Sequence, residues 1–188
     1  MSNNRSQRRV ILDLAVTLDG FIEGKNGEID WCIMDAEMEF DIFLNQIDTI
    51  FYGRKSYEQW GQYSPSSDAS EEEIAMWDSV HSKEKYVFSR TQRSDNDNAI
   101  FIHDHIVEEV NKIKNKPGKD IWLYGGASLI ETFIQLGLVD EYRLSVHPVI
   151  LGEGKPLFTG ITDRINVKLK ETKTYSSGVV QLIYSAWH

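Results

Sequence analysis

With 188 residues, 41 % of them hydrophobic and 26 % charged, the chain has the composition of a soluble globular protein and the length of one domain with a sizeable core. A formal net charge of −9 argues against a general nucleic-acid or anionic-membrane surface but leaves room for a local basic pocket. The single cysteine, Cys32, excludes an intrachain disulfide framework and a cysteine-rich metal site, and fits a reducing cytoplasm.

The opening "MSNNRSQRRV" carries basic residues, but the apolar run behind it is short and holds Asp13, a pattern that fits neither a secretory signal nor a membrane span. Residues 1–8 read as a loose tail and 9–188 as a single domain. "RRVILDLAV" has the near-continuous apolarity of a strand covered on both faces. Between Asp35 and Gln46, Phe40, Phe43, Leu44 and then Ile47 recur at helical spacing. "DTIFYG" and "EKYVFS" read as strands, separated by the loop-like "GQYSPSSDASEEE" at 61–73. "NAIFIH" leads into the helical "DHIVEEVNKIKN". "DIWLYG" leads into a helix over 128–136 that Gly137 is placed to end.

Beyond that point "DEYRLSVHPVIL", "INVKLKETKTY" and "GVVQLIYSAWH" are strands with no helix between them, and "YSSG" is a hairpin turn. The chain is therefore expected to be α/β. A central, mainly parallel sheet is flanked by helices and finished by antiparallel C-terminal edge strands. A bare edge strand invites pairing, so these strands also suggest a homodimer.

Three strand ends share one chemistry. "TIFY" ends at Gly53 before Arg54, Lys55 and Ser56. "YVF" ends at Ser89, Arg90 and Thr91. "IWLY" ends at Gly125 and Gly126 before Ala127 and Ser128. Ser56 with Gln59, and Ser128 with Glu131, match the capping box that opens a helix. Ligands of open α/β sheets sit beyond the carboxyl ends of the strands, where helix N-termini offer N–H groups to anions. A glycine there serves either a tight turn or the close approach of a phosphate. Arg54, Lys55 and Arg90 could bind phosphate oxygens. Neither G-x-G-x-x-G nor a P-loop is present, which disfavours an ordinary Rossmann protein or NTPase.

Four stretches, "VTLDGFIEG", "YGRKSYEQW", "WLYGGASLIETFIQLGLVDEYRLSVHPVILGEGKPLF" and the C-terminal strand pair, carry a resemblance to the dihydrofolate reductase-like superfamily. Within it, the chain resembles the reductase domain of bacterial riboflavin biosynthesis, the C-terminal domain of the bifunctional deaminase/reductase, in its stand-alone form. The resemblance implies NADPH as hydride donor. It sets Gly53, Arg54, Lys55 and Ser56 by the phosphates, Ser89 and Arg90 at the 2′-phosphate, and Gly125, Gly126, Ala127 and Ser128 where pyrophosphate and nicotinamide approach.

The resemblance also implies hydride transfer to a small heterocycle or pyrimidine-ribose such as 5-amino-6-(5-phosphoribosylamino)uracil, with dihydrofolate a second possibility. Thr17, Asp19 and Trp31 become candidates for substrate contact. Dihydrofolate reductases carry a carboxylate on the first helix. Among Asp35, Glu37, Glu39 and Asp41, Glu37 stands most nearly on the apolar side, its register uncertain by one residue. It is the candidate catalytic acid, and a first-turn acid complementing the helix dipole is the alternative. Where the riboflavin reductases have a basic residue in the first strand, this chain has Asp13, a carboxylate that would repel a substrate phosphate and could bind a cation or amine. The rival reading is a non-catalytic nucleotide- or pterin-binding homodimer. His103 and His105 have no evident third ligand, so no metal site is expected.

Overall fold

A computed structural model of the chain describes residues 7–91 and 98–187. Its strands are β1 (Val10–Thr17), β2 (Phe21–Glu23), β3 (Ile47–Gly53), β4 (Glu84–Phe88), β5 (Ile100–Ile102), β6 (Asp120–Gly125), β7 (Glu141–His147), β8 (Lys155–Pro156), β9 (Val167–Thr174) and β10 (Val180–Ala186). Its helices are α1 (Phe40–Gln46), α2 (Arg54–Ser56), α3 (Glu71–His81), α4 (Ile106–Lys114) and α5 (Ala127–Gln135).

One eight-stranded sheet runs in the order β5-β4-β3-β6-β1-β7-β10-β9. Pairing is parallel from β5 to β7 and antiparallel for β7–β10 and β10–β9, the architecture expected from the strand–helix alternation and its β-rich ending. Alternate residues feed two cores. Leu12, Phe51 and Leu123 pack with Ile130 and Phe133 of α5 on one face. Ile11, Ile50 and Trp122 pack with Phe43 and Leu44 of α1 on the other. The turn Tyr175–Gly178 closes β9 onto β10, with Gly178 at φ +87°.

At its C-terminus α5 ends as the sequence suggests. Gly137 adopts φ +65°, its N–H bonds the Ile134 carbonyl at 3.1 Å, and Leu138 N–H bonds the Phe133 carbonyl at 2.9 Å. Three other segments depart from expectation. The 35–46 segment is two pieces. A 3₁₀ turn, Ala36–Met38, is capped by Asp35, and a left-handed Glu39 (φ 51°) separates it from α1. Ile47 already belongs to β3. The loop at 61–73 stops at Ser70, whose hydroxyl caps α3 through Glu73 N–H at 3.1 Å. The triple acid Glu71–Glu73 is thus a helix first turn.

Arg8, read as part of the tail, is buried. Its guanidinium pairs with Asp48 and donates to Thr49 Oγ1 at 2.6 Å and to the Lys119 carbonyl. The first strand is anchored by this arginine one residue before the predicted start of the domain. No helix among the described residues is long and apolar enough to cross a membrane, and no group of three or more potential ligands for a metal ion occurs among them.

Candidate functional site

Gly53 at the end of β3 pairs in register with Phe88 at the end of β4, and Tyr52 pairs with Gly125 at the end of β6. The turns Gly53–Ser56, Ser89–Arg90 and Gly125–Ser128 therefore open side by side on the carboxyl edge of three adjacent parallel strands. The glycines have a local reason to be there. A Cβ on Gly53 would lie 3.1 Å from Gly126 N, a Cβ on Gly126 would lie 2.8 Å from Ser56 Oγ, and Gly125 has φ +123°. The Gly125–Gly126 peptide is cis.

The two capping boxes do not form. Each helix begins directly on its glycine, Gly53 or Gly126, with no side-chain cap. Ser56 and Ser128 consequently lie inside the helices, the Ser128 carbonyl accepting from Thr132 Oγ1 at 2.8 Å. Without a capping side chain, the first-turn N–H groups of α5 have no hydroxyl competing for them. Arg54 is held by Glu58 at 2.9 Å. Lys55 and Arg90 are exposed and make no ion pair among the described residues. Ser89 Oγ donates to the Thr91 carbonyl at 3.0 Å.

A crevice adjoins this edge. The ladder between β1 and β6 comprises only Val10↔Ile121 and Ile11↔Trp122. β1 nevertheless stays paired with β7 as far as Thr17↔His147, and β6 stays paired with β3 as far as Gly125. The upper halves of β1 and β6 thus part, with Trp122 Nε1 donating across the gap to the Asp13 carbonyl at 3.1 Å.

Asp13 projects from β1 into a pocket of 140 Å³ whose walls include Phe40, Phe43, Arg143, Ser145 and Gln181. Arg143 is its direct neighbour in the β1–β7 register. That guanidinium is engaged by Glu141 at 2.6 Å and Gln46 at 3.0 Å, and lies 5.2 Å from the Phe43 ring centre. The Asp13 carboxyl has no hydrogen bond among the described residues. Burial pushes its pKa up to about 7, opposed by Arg143 and reinforced by Glu141.

Other sequence candidates are occupied with structure. Thr17 is buried, donates to Asp19 Oδ1 at 2.6 Å and accepts from Phe21 N–H at 2.9 Å. Asp19 also accepts from Leu151 and Gly152 N–H, at 3.1 and 2.8 Å, so it fastens the β1–β2 turn to the loop before β8. These bonds, the one from Thr17 foremost, hold its pKa below the usual carboxylate range. Trp31 packs edge-on against the buried His147, with ring centres 5.4 Å apart. Glu37 is exposed, and its carboxylate accepts from Ser176 N–H at 3.1 Å and Ser176 Oγ at 2.9 Å in the β9–β10 turn. The break at Glu39 removes the continuous helical face that pointed Glu37 inward. Sequence reasoning passed over Arg143 and His147. Their places beside Asp13 and Thr17 follow from the β1–β7 register, which no local pattern encodes.

Residues 8–181 match the sequence profile of the RibD C-terminal domain. The Bacillus subtilis (strain 168) protein YyaP is 68 % identical over 98 % of each chain. A Shewanella sp. PV-4 protein whose name assigns it to riboflavin biosynthesis superposes with a TM-score of 0.77 at 20 % identity, covering 96 % of this chain and 99 % of that one. Dihydrofolate reductase from Enterococcus faecalis, in complex with NADP(H), does so with a TM-score of 0.64 at 17 % identity, covering 96 % and 97 %. The fold is thus dihydrofolate reductase-like.

Proposed function

The chain belongs to the family of RibD C-terminal domains, and from that premise we propose that it is an NADPH-dependent reductase of the riboflavin-biosynthesis and dihydrofolate reductase type, acting on a small heterocycle or pyrimidine-ribose. The observation that carries this reading is the convergence of the three turns on one sheet edge, beside the crevice between β1 and β6. The residues fit a phosphorylated dinucleotide. The first turn of α5 presents N–H groups behind two glycines that carry no Cβ, and Lys55 and Arg90 are exposed cations without an ion pair among the described residues.

In this reading Gly125, Gly126, Ala127 and Ser128 hold the pyrophosphate, with Gly53, Arg54, Lys55 and Ser56 beside it. Ser89 and Arg90 take the 2′-phosphate. When bound, NADPH supplies the hydride. The protein positions the ring beside β1, and Trp122 and Phe40, in edge contact at 5.5 Å, wall the substrate side against water. Thr17 and Asp19 fix the turn that borders the crevice, with Trp31 alongside.

Titration with NADPH, using NADH as control, tests the reading. Saturable binding should prefer NADPH, and Arg90→Ala should weaken NADPH by about tenfold while leaving NADH unchanged. Failure of both nucleotides to bind would remove it. The rival, a non-catalytic nucleotide- or pterin-binding protein, draws support from Glu37, whose carboxylate is taken up by Ser176. Such a protein would bind NADPH and oxidise none of it in the presence of dihydrofolate or the aminouracil.

We also propose a homodimer in the cytoplasm. β9 is an exposed edge strand of eight residues, and Leu169 on it and Trp187, bonded to Asn166 at its start, leave apolar surface uncovered. A monomer mass by light scattering at working concentration would rule out the dimer.

A further inference from the structure

Resting on the reductase reading and naming its substrate class, we infer that the pocket between α1 and strands β1, β7, β9 and β10 takes a flat ligand through an N–H-rich edge, cationic or amino-substituted, and excludes a phosphate, with Asp13 as the specificity-determining residue. A pocket of 140 Å³ is comparable to a cavity of about 150 Å³ that accepts benzene. It therefore has room for one small ring. Its walls favour flatness. Phe40 and Phe43 both meet the Trp122 ring edge-on at 5.5 Å, forming an aromatic side against which a planar group lies.

Charge decides the rest. Among the described residues none of the lining carboxyls of Asp13, Glu39 and Glu171 has a hydrogen bond, but Glu39 and Glu171 are exposed to water whereas Asp13 is half-buried. Arg143, the cation beside it, is already satisfied by Glu141, Gln46 and the Phe43 ring. The other charged groups around it are Glu39 ahead of α1 and Glu171 and Lys173 on β9. Tyr175, in the turn after β9, also lies within electrostatic reach. Carboxylates outnumber cations, and only Lys173 among the lining cations has no bonded partner among the described residues. A phosphate would face the carboxyls at close range. An N–C–N edge would instead give Asp13 two parallel N–H donors and end its isolation.

Matched probes test this without turnover. Benzamidine, a flat amidinium, and benzoate, its anionic counterpart, are titrated calorimetrically into the wild-type protein and into Asp13→Asn, with circular dichroism confirming that the variant folds. Benzamidine should bind the wild type and weaken by about tenfold or more in Asp13→Asn, while benzoate fails to bind. Benzamidine affinity should rise from about pH 6 to about pH 8 as the carboxyl ionises, a trend absent in the variant. Equal affinity in both proteins, binding of benzoate by the wild type, or no binding of benzamidine overturns the inference. Parallel NADPH titration separates the two readings. Benzamidine binding without NADPH binding would sink the reductase and leave the pocket's preference standing, and the converse result would do the reverse.

Discussion

The edge formed by the ends of β3, β4 and β6 and the pocket around Asp13 lie in the same sheet but are built differently. At the edge, backbone does the positioning. Gly53 and Gly126 bring two turns within 3.1 Å of the space a side chain would need, and the exposed Lys55 and Arg90 make no ion pair among the described residues. In the pocket, side chains from β1, α1, β7, β9 and β10 converge, and Arg143, Gln46, Ser145 and Gln181 are already paired. Such an edge can serve any ligand with the same phosphates, because N–H groups carry no chemical identity beyond their direction. The pocket is where two members of one family can diverge, since one replacement on β1 changes the sign of the charge.

The largest effect is expected at the edge. Gly125→Val forces a branched residue to φ +123° with its Cβ 3.3 Å from Ile130 Cδ1. It should destabilise the protein by at least about 3 kcal/mol and abolish NADPH binding. A folded variant with unchanged affinity would show that the turn tolerates a side chain and would break the contrast.

Arg8→Ala lies far from both regions. It strips Asp48 and the Lys119 carbonyl of a buried donor and should lower stability by about 2–3 kcal/mol in urea unfolding, leaving the affinity of the folded fraction intact.

In the pocket, the Asp13 carboxyl titrates near pH 7 when folded and near the ordinary aspartate value when unfolded. Between those values the folded chain keeps a proton that the unfolded chain has released. Stability therefore falls as pH rises through this window, and the penalty is complete above about pH 7. Because the pocket opens to water, roughly 2 kcal/mol is expected rather than the full shift. Asp13→Asn should be the more stable protein at about pH 8 by that amount, with the difference vanishing near pH 4. A flat profile in the wild type would mean that Asp13 is solvated.

The smallest effect is expected at Glu37. Glu37→Gln weakens two hydrogen bonds to Ser176 and should cost about 0.5–1 kcal/mol with turnover unchanged. A large loss of turnover with NADPH affinity intact would return Glu37 to the chemistry.

Much of this was legible without coordinates, for physical reasons. The strands β1, β3 and β6 announced themselves because burial on both faces demands unbroken apolar runs. The end of α5 at Gly137 was readable because a left-handed C-cap nearly requires glycine. α3 was missed, although Ser70 and the acids after it carry a helix start, because its apolar side is weak and most of it is exposed or half-buried. The position of Glu37 was misjudged because helical periodicity assumes an unbroken helix, and nothing local marks Glu39 as left-handed.

The sequence by itself determined the α/β class, the antiparallel ending and the three glycine- and cation-bearing strand ends, since each depends on periodicity or on the conformational needs of single residues. Tertiary structure alone decided which strands became neighbours. That choice aligned Gly53, Ser89 and Gly125 on one edge, parted β1 from β6 above Ile11, and set Arg143 beside Asp13 but in the grip of Glu141. Register between strands distant in the chain is fixed by the packing of both sheet faces together, so the charge balance of the pocket exists only once the fold is complete.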